Sequence, residues 1–167
     1  MPIKIEVKIT EKDIFSFMLH HHYSRPSGIF GTIMGAFALL VGINYIVQGN
    51  IQSSLILIIC GFLLVAYIPY VLKKKAKAQK NAEMFQHPLE YEFSDRGISV
   101  KQGDQEVTNE WDTIEKAVST RKCIIIYMSR IRAIIFPKRC LGDKYGEIVE
   151  MIYTHMPTKK VKIRHVH

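Results

Sequence analysis

Between Ile29 and Leu72 the chain contains no aspartate, glutamate, lysine or arginine. That run constrains the fold more than any other feature, because about 20 helical residues rise roughly 30 Å, the thickness of a bilayer's hydrocarbon core. The polar triplet Gln48-Gly49-Asn50 divides the run, and the parts on either side, Gly28 to Val47 and Ile51 to Leu72, are each long enough to cross. We therefore expect a transmembrane helical hairpin over 28–72, with spans 28–47 and 51–72 and a glycine-centred turn between them. Two buried helices in a soluble globule are the competing arrangement. A chain of 167 residues lacks the material to surround two helices that are apolar on every side. A cleaved leader is not expected either, since the first apolar run starts late and a second follows at once. Pro69, near the end of the second span, is expected to kink it.

Charge sets the expected orientation. Lysine and arginine number 23 against 15 acidic residues, a formal charge of +8. The excess is concentrated beside the spans: Arg25 before the first, and Lys73, Lys74, Lys75, Lys77 and Lys80 after the second. Because cytoplasmic flanks carry the positive excess, both termini are expected in the cytoplasm, in a multi-pass protein of a cell membrane. The same six cations are candidate lipid-headgroup contacts, against the simpler reading that they only fix topology. In the first span Gly31, Gly35, Ala38 and Gly42 make a stripe of small residues suited to close helix packing. That packing is expected within the chain's own hairpin, with a homodimer through Gly31 and Gly35 as the alternative.

The remainder reads as a small soluble unit. A hydrophobic content of 48% excludes disorder. Ile3, Ile5, Val7 and Ile9 alternate with Lys4, Glu6 and Lys8, which is the period of a half-buried strand. So short a strand needs a partner from beyond the hairpin. Thr10 with Asp13 resembles a helix cap, and the helix that follows leads toward the membrane. Strands are expected at Leu89 to Phe93, from Ile98, and near Glu106 to Trp111, Ile114 to Ser119, Cys123 to Tyr127 and Arg132 to Phe136, with turns at Ser94-Asp95-Arg96-Gly97 and Gln102-Gly103-Asp104. A final amphipathic helix is expected from about Asp143 to Met156. The expected fold is thus membrane α+β: the hairpin plus a small cytoplasmic antiparallel sheet of five or six strands capped by a C-terminal helix, the shape of a pleckstrin-homology (PH) domain. Its expected parts are an N-terminal strand and juxtamembrane helix (1–27), the hairpin (28–72), a basic juxtamembrane helix or linker (73–88), a PH-like domain (89–157) and a basic tail (158–167).

Several short motifs resemble the YcxB-like family of bacterial membrane proteins. They are Tyr91-Glu92-Phe93-Ser94-Asp95-Arg96-Gly97-Ile98, then Trp111 with Ile114 and Lys116, then Ile134-Ile135-Phe136-Pro137-Lys138-Arg139. Asp13 and Leu19-His20-His21-His22, ahead of a two-helix hairpin, are similar to that family's front half. The resemblance implies a bacterial inner or plasma membrane protein with a PH-like cytoplasmic domain. It implies no catalytic residues.

The chain contains none of the common phosphate-loop, dinucleotide, serine-hydrolase or zinc-protease signatures. His20, His21 and His22 form the densest cluster of potential ligands, but neighbours on a helix point about 100° apart and cannot share one metal. An interfacial, partly cationic segment is the simpler reading. Cys60, Cys123 and Cys140 have no metal spacing, no disulfide is expected, and Cys140 beside Lys138 and Arg139 is the one candidate for an activated thiol. Lys138, Arg139, Lys144, Lys159, Lys160, Lys162 and Arg164 form a second basic group that would extend a lipid contact.

No enzyme activity, cofactor or metal is expected, and no nucleic acid, since aromatic platforms are not interleaved with the basic residues. The expected function is a membrane-anchored adaptor whose PH-like domain binds a protein partner or its own copy, in one form an immunity protein against a toxin. The alternatives are an anionic-lipid-responsive regulator, and a metal-binding sensor or enzyme built on His20, His21 and His22.

Overall fold

The computed structural model describes residues 2–82, 85, 87–102 and 105–163. It divides into two units, Met18–Ala78 and a second built from both ends of the chain, Met1–Phe17 with Gln79–His167.

The first unit contains two helices long and apolar enough to cross a membrane, Pro26–Val47 and a continuous helical run Ile51–Lys80. We label Pro26–Val47 α2, Ile51–Phe62 α3 and Ile68–Lys80 α4; a π-helical turn, Leu63–Tyr67, joins the last two. Pro69 has no N–H to donate, and its ring crowds the carbonyl one turn back. The wide turn lies just ahead of it, and the helical run continues past Pro69 to Lys80. α2 ends in a Schellman motif: the Asn50 N–H bonds to Tyr45 O and the Gly49 N–H to Ile46 O, both at 2.9 Å. Gly49 there has φ +78°, a left-handed conformation that favours glycine. Asn50 then caps α3 by accepting the Ser53 N–H. Large apolar side chains stand outward on both helices, Phe37 at 60% exposure and Phe62 at 63%. Such surface suits lipid and opposes water.

The second unit begins with β1, Ile3–Val7, followed by α1, Glu11–Tyr23, whose early residues belong to it. The Thr10 N–H bonds to the Asp13 carboxylate at 2.8 Å, half of a capping box. After α4 come β2 (Leu89–Ser94), β3 (Gly97–Gln102), β4 (Gln105–Glu110), β5 (Lys116–Ser119), β6 (Cys123–Tyr127) and β7 (Ala133–Pro137). A short α5 (Lys138–Leu141), the helix α6 (Tyr145–His155) and a two-residue β8 (Val161–Lys162) complete it. β1 pairs antiparallel with β2, Ile5 opposite Tyr91, so the strand before the apolar helices finds its partner after them. In the β2–β3 hairpin Gly97 has φ +153°, and a Cβ there would lie 2.1 Å from Asn109 O of β4. No other residue fits.

One sheet of five or six antiparallel strands was expected; two four-stranded sheets form, ordered β1-β2-β3-β4 and β7-β6-β5-β8. β8 runs parallel to β5, and two residues are too few to show an alternating pattern. Thr158–Lys160 is a 3-10 turn leading into β8, so the start of the expected tail is folded, while Arg164-His165-Val166-His167 lie outside the described residues. Gly103 and Asp104 of the expected turn also lie outside them. The sheets meet through Phe136, whose ring lies 4.9 Å from Tyr91 and 5.1 Å from Phe93. β6 is buried along its whole length, which explains why it reads as an unbroken apolar run. α6 buries Ile148, Val149 and Ile152.

Candidate functional site

The edge strand β1 is held at two points by cations from the far end of the chain. Lys144 donates to Lys4 O at 2.7 Å, and Arg139 donates to Lys8 O at 2.9 Å. Lys4 lies in β1 and Lys8 just past its end, so basic side chains engage backbone along the edge strand, which would otherwise invite another strand. Arg139 also grips Asp13 with two bonds of 2.7 Å, one to each carboxylate oxygen. Asp13 is 4% exposed and further accepts from the Thr10 hydroxyl at 2.6 Å. Burial pushes the Asp13 carboxyl up, but the bonds from Arg139 and Thr10 outweigh it and hold the group below its ordinary value of 3.8. The Asp13 bonds and charge in turn raise Arg139.

Next to this clamp lies an open groove of about 480 Å³ between β1 and α6. Pro2, Ile3 and Lys4 form one wall; Glu147, Glu150 and Met151 form much of the other. Asp95 and His155 close one end. The His155 ring stacks on Trp111 at 5.2 Å and 15°, its Nδ1 lies 3.0 Å from Met151 O, and its Nε2 lies 3.6 Å from Asp95. Trp111 is buried and donates its indole N–H to Ser94 O at 2.9 Å. The β2–β3 turn, the β4–β5 connection and the end of α6 are thereby fixed together. This corner makes the groove a formed feature of the fold.

The residues singled out in the sequence fall in different places. Arg25 is exposed just before α2. Lys73, Lys74, Lys75 and Lys77 are exposed along α4, Lys74 over the Tyr70 ring at 5.3 Å, and Lys80 is half-buried and donates to Phe85 O. In the hairpin, Cβ atoms at Gly35 and Gly42 would lie 2.7 Å from Leu64 Cβ and 2.9 Å from Ile58 Cγ1, so both sit in the seam between the helices. Ala38 is half-buried, and Gly31 has nothing within 4 Å of its Cβ position. Of the second basic group, Arg139 and Lys144 hold β1, Lys160 donates to Ile114 O at 3.1 Å, and Lys138 lies over the Tyr145 ring. Those cations are committed to the fold.

The histidines follow one another at the end of α1, with His22 edge-on to Tyr23 at 5.1 Å. Among the described residues no group of three or more His, Cys, Asp or Glu side chains is arranged to hold a metal. Cys123 is 1% exposed, and burial first, then the Asp13 charge, pushes its thiol up to about 11. It is a core residue, not a nucleophile. Cys140 is partly exposed, and the guanidinium next to it in sequence is engaged by Asp13.

Sequence reasoning missed the Asp13–Arg139 pair; it placed a groove beside the terminal helix, suited to strand addition, but not the residues that line it. Asp13 and Arg139 both stood among the motifs quoted for the family resemblance, but their pairing joins positions at opposite ends of the chain. The groove leaves no local pattern, since its walls come from β1, the β2–β3 turn and α6. Comparison with curated proteins and with solved structures finds no match. Residues 93–152, which take in the quoted motifs from Phe93 through Arg139, match the model of the YcxB-like protein family.

Proposed function

We propose that this chain is a non-catalytic, membrane-anchored binding protein. In this reading α2 and the Ile51–Lys80 helix cross the bacterial cell (inner) membrane, both termini are cytoplasmic, and a PH-like unit at the cytoplasmic face holds a protein partner or a second copy. The order of four antiparallel strands, three more antiparallel strands and a helix supports the PH-like description. The observation that carries the function is the groove between an edge strand and α6, a shape suited to an extended peptide. Its lining favours a segment with a basic residue over Glu147 and Glu150 and an apolar one over Met151. Lys144 already occupies Lys4 O, so side-chain contacts rather than strand addition along all of β1 would give the affinity. An immunity protein that captures a toxin is one form of this reading.

The test is site-specific photocrosslinking in intact membranes, with a photoreactive residue at Glu150 and a control at Ser99 on the outer sheet face. A discrete adduct from Glu150, absent from Ser99 and lost with Met151→Asp, is expected. Adducts at neither position, or equally at both, would contradict the groove as the binding site.

A further inference from the structure

The turn between β6 and β7 holds an apolar side chain in the open. Ile131 is 87% exposed, with exposed Arg130 and Arg132 on either side. The turn is well built: Ser129 Oγ accepts the N–H groups of Ile131 and Arg132 at 3.3 and 3.1 Å, and Arg132 O accepts those of Met128 and Ser129 at 2.9 and 3.2 Å. Ile131 is thus positioned outward by its backbone. At the same end of the sheet Lys116 stands opposite Tyr127, its ammonium 4.5 Å from the ring centre. Lys116, Arg130 and Arg132 outweigh the adjoining Glu115.

Tyr127 also meets the ring of Phe17, 6.2 Å away, in α1. That helix ends at Tyr23, and Ser24 and Arg25 alone separate it from Pro26, where the first apolar helix starts. We propose that this hairpin tip is a contact site for an anionic lipid surface, Ile131 entering the interfacial layer while Arg130, Arg132 and Lys116 meet headgroup phosphates. An apolar side chain bordered by cations complements a bilayer surface, which is apolar beneath a layer of anionic phosphate. The short connection to α2 supplies lipid at high effective concentration once the apolar helices are inserted. The inference rests on the reading of those helices as membrane-spanning.

The test uses the full chain in nanodiscs of phosphatidylcholine, with or without phosphatidylglycerol. An environment-sensitive fluorophore is placed at Ile131→Cys in a Cys60→Ser, Cys140→Ser background, and a parallel sample carries it at Phe37→Cys. Spin-labelled lipid should quench the fluorophore at 131 in anionic discs, with a several-fold drop when phosphatidylglycerol is omitted or when Arg130→Gln and Arg132→Gln are combined. Quenching at 37 without quenching at 131 would overturn the contact and leave the membrane reading intact. Absence of quenching at 37 would overturn both. Equal quenching at 131 with and without the two arginines would also overturn the proposal, since the cations would then have no part in it.

Discussion

Asp13 and Arg139 show how one pair of side chains joins the two ends of a chain. Removing Arg139 leaves a carboxylate in a site 4% exposed, with only Thr10, among the described residues, to satisfy it. Half of the arginine side chain is in water, so Arg139→Ala should cost about 3 kcal/mol, the low end for an unpaired buried charge. Chemical denaturation of the purified chain measures this, and an unchanged midpoint would show that the pair adds nothing. The pH dependence has a definite sign. A carboxyl held below its ordinary 3.8 in the folded state contributes stability that is complete above that value and is lost as the pH falls through the lowered one. Asp13→Asn should therefore be less stable than the parent at neutral pH, and the gap should narrow as the pH falls below 3.8. A gap that stays constant would contradict the ionised pair.

At the scale of elements, the hairpin seam depends on which glycines face the second helix. A side chain at Gly42 would press into Ile58, whereas one at Gly31 meets nothing within 4 Å. Gly42→Leu should destabilise the hairpin by about 1–3 kcal/mol, the usual cost of overpacking, while Gly31→Leu should leave it unchanged. Thermal unfolding of the two variants in detergent distinguishes them. Equal loss in both would mean that Gly31 has a partner outside this chain, as a homodimer would provide. The sequence identifies the stripe but not its division, because Gly31, Gly35 and Gly42 share one helix face and only the neighbour's path separates them. β1 and β6 read clearly from their patterns, alternation for the first and an unbroken apolar run for the second. β8 did not, since two residues beside a 3-10 turn carry no period.

For the whole molecule, the apolar helices are an insertion between β1 and β2, and in the proposed topology a single unit built from both ends requires that the chain leave and return on the same side. The sequence shows this outline through the charge-free run and the alternation of Ile3, Ile5, Val7 and Ile9. It does not show the clamp, the lining of the groove beside the last helix or the Ile131 tip, because each brings together residues that are distant in sequence or depends on exposure that only the fold decides. The topology of the chain can be measured directly. A cysteine at Gln48, in the turn between the apolar helices, is placed in a background with Cys60→Ser and Cys140→Ser, and a second chain carries one at His87 instead. Intact cells are treated with a membrane-impermeant maleimide. Labelling is expected at Gln48 from outside and at His87 only after the cells are opened. Labelling of His87 in intact cells, or of Gln48 only after opening, would contradict the proposed topology.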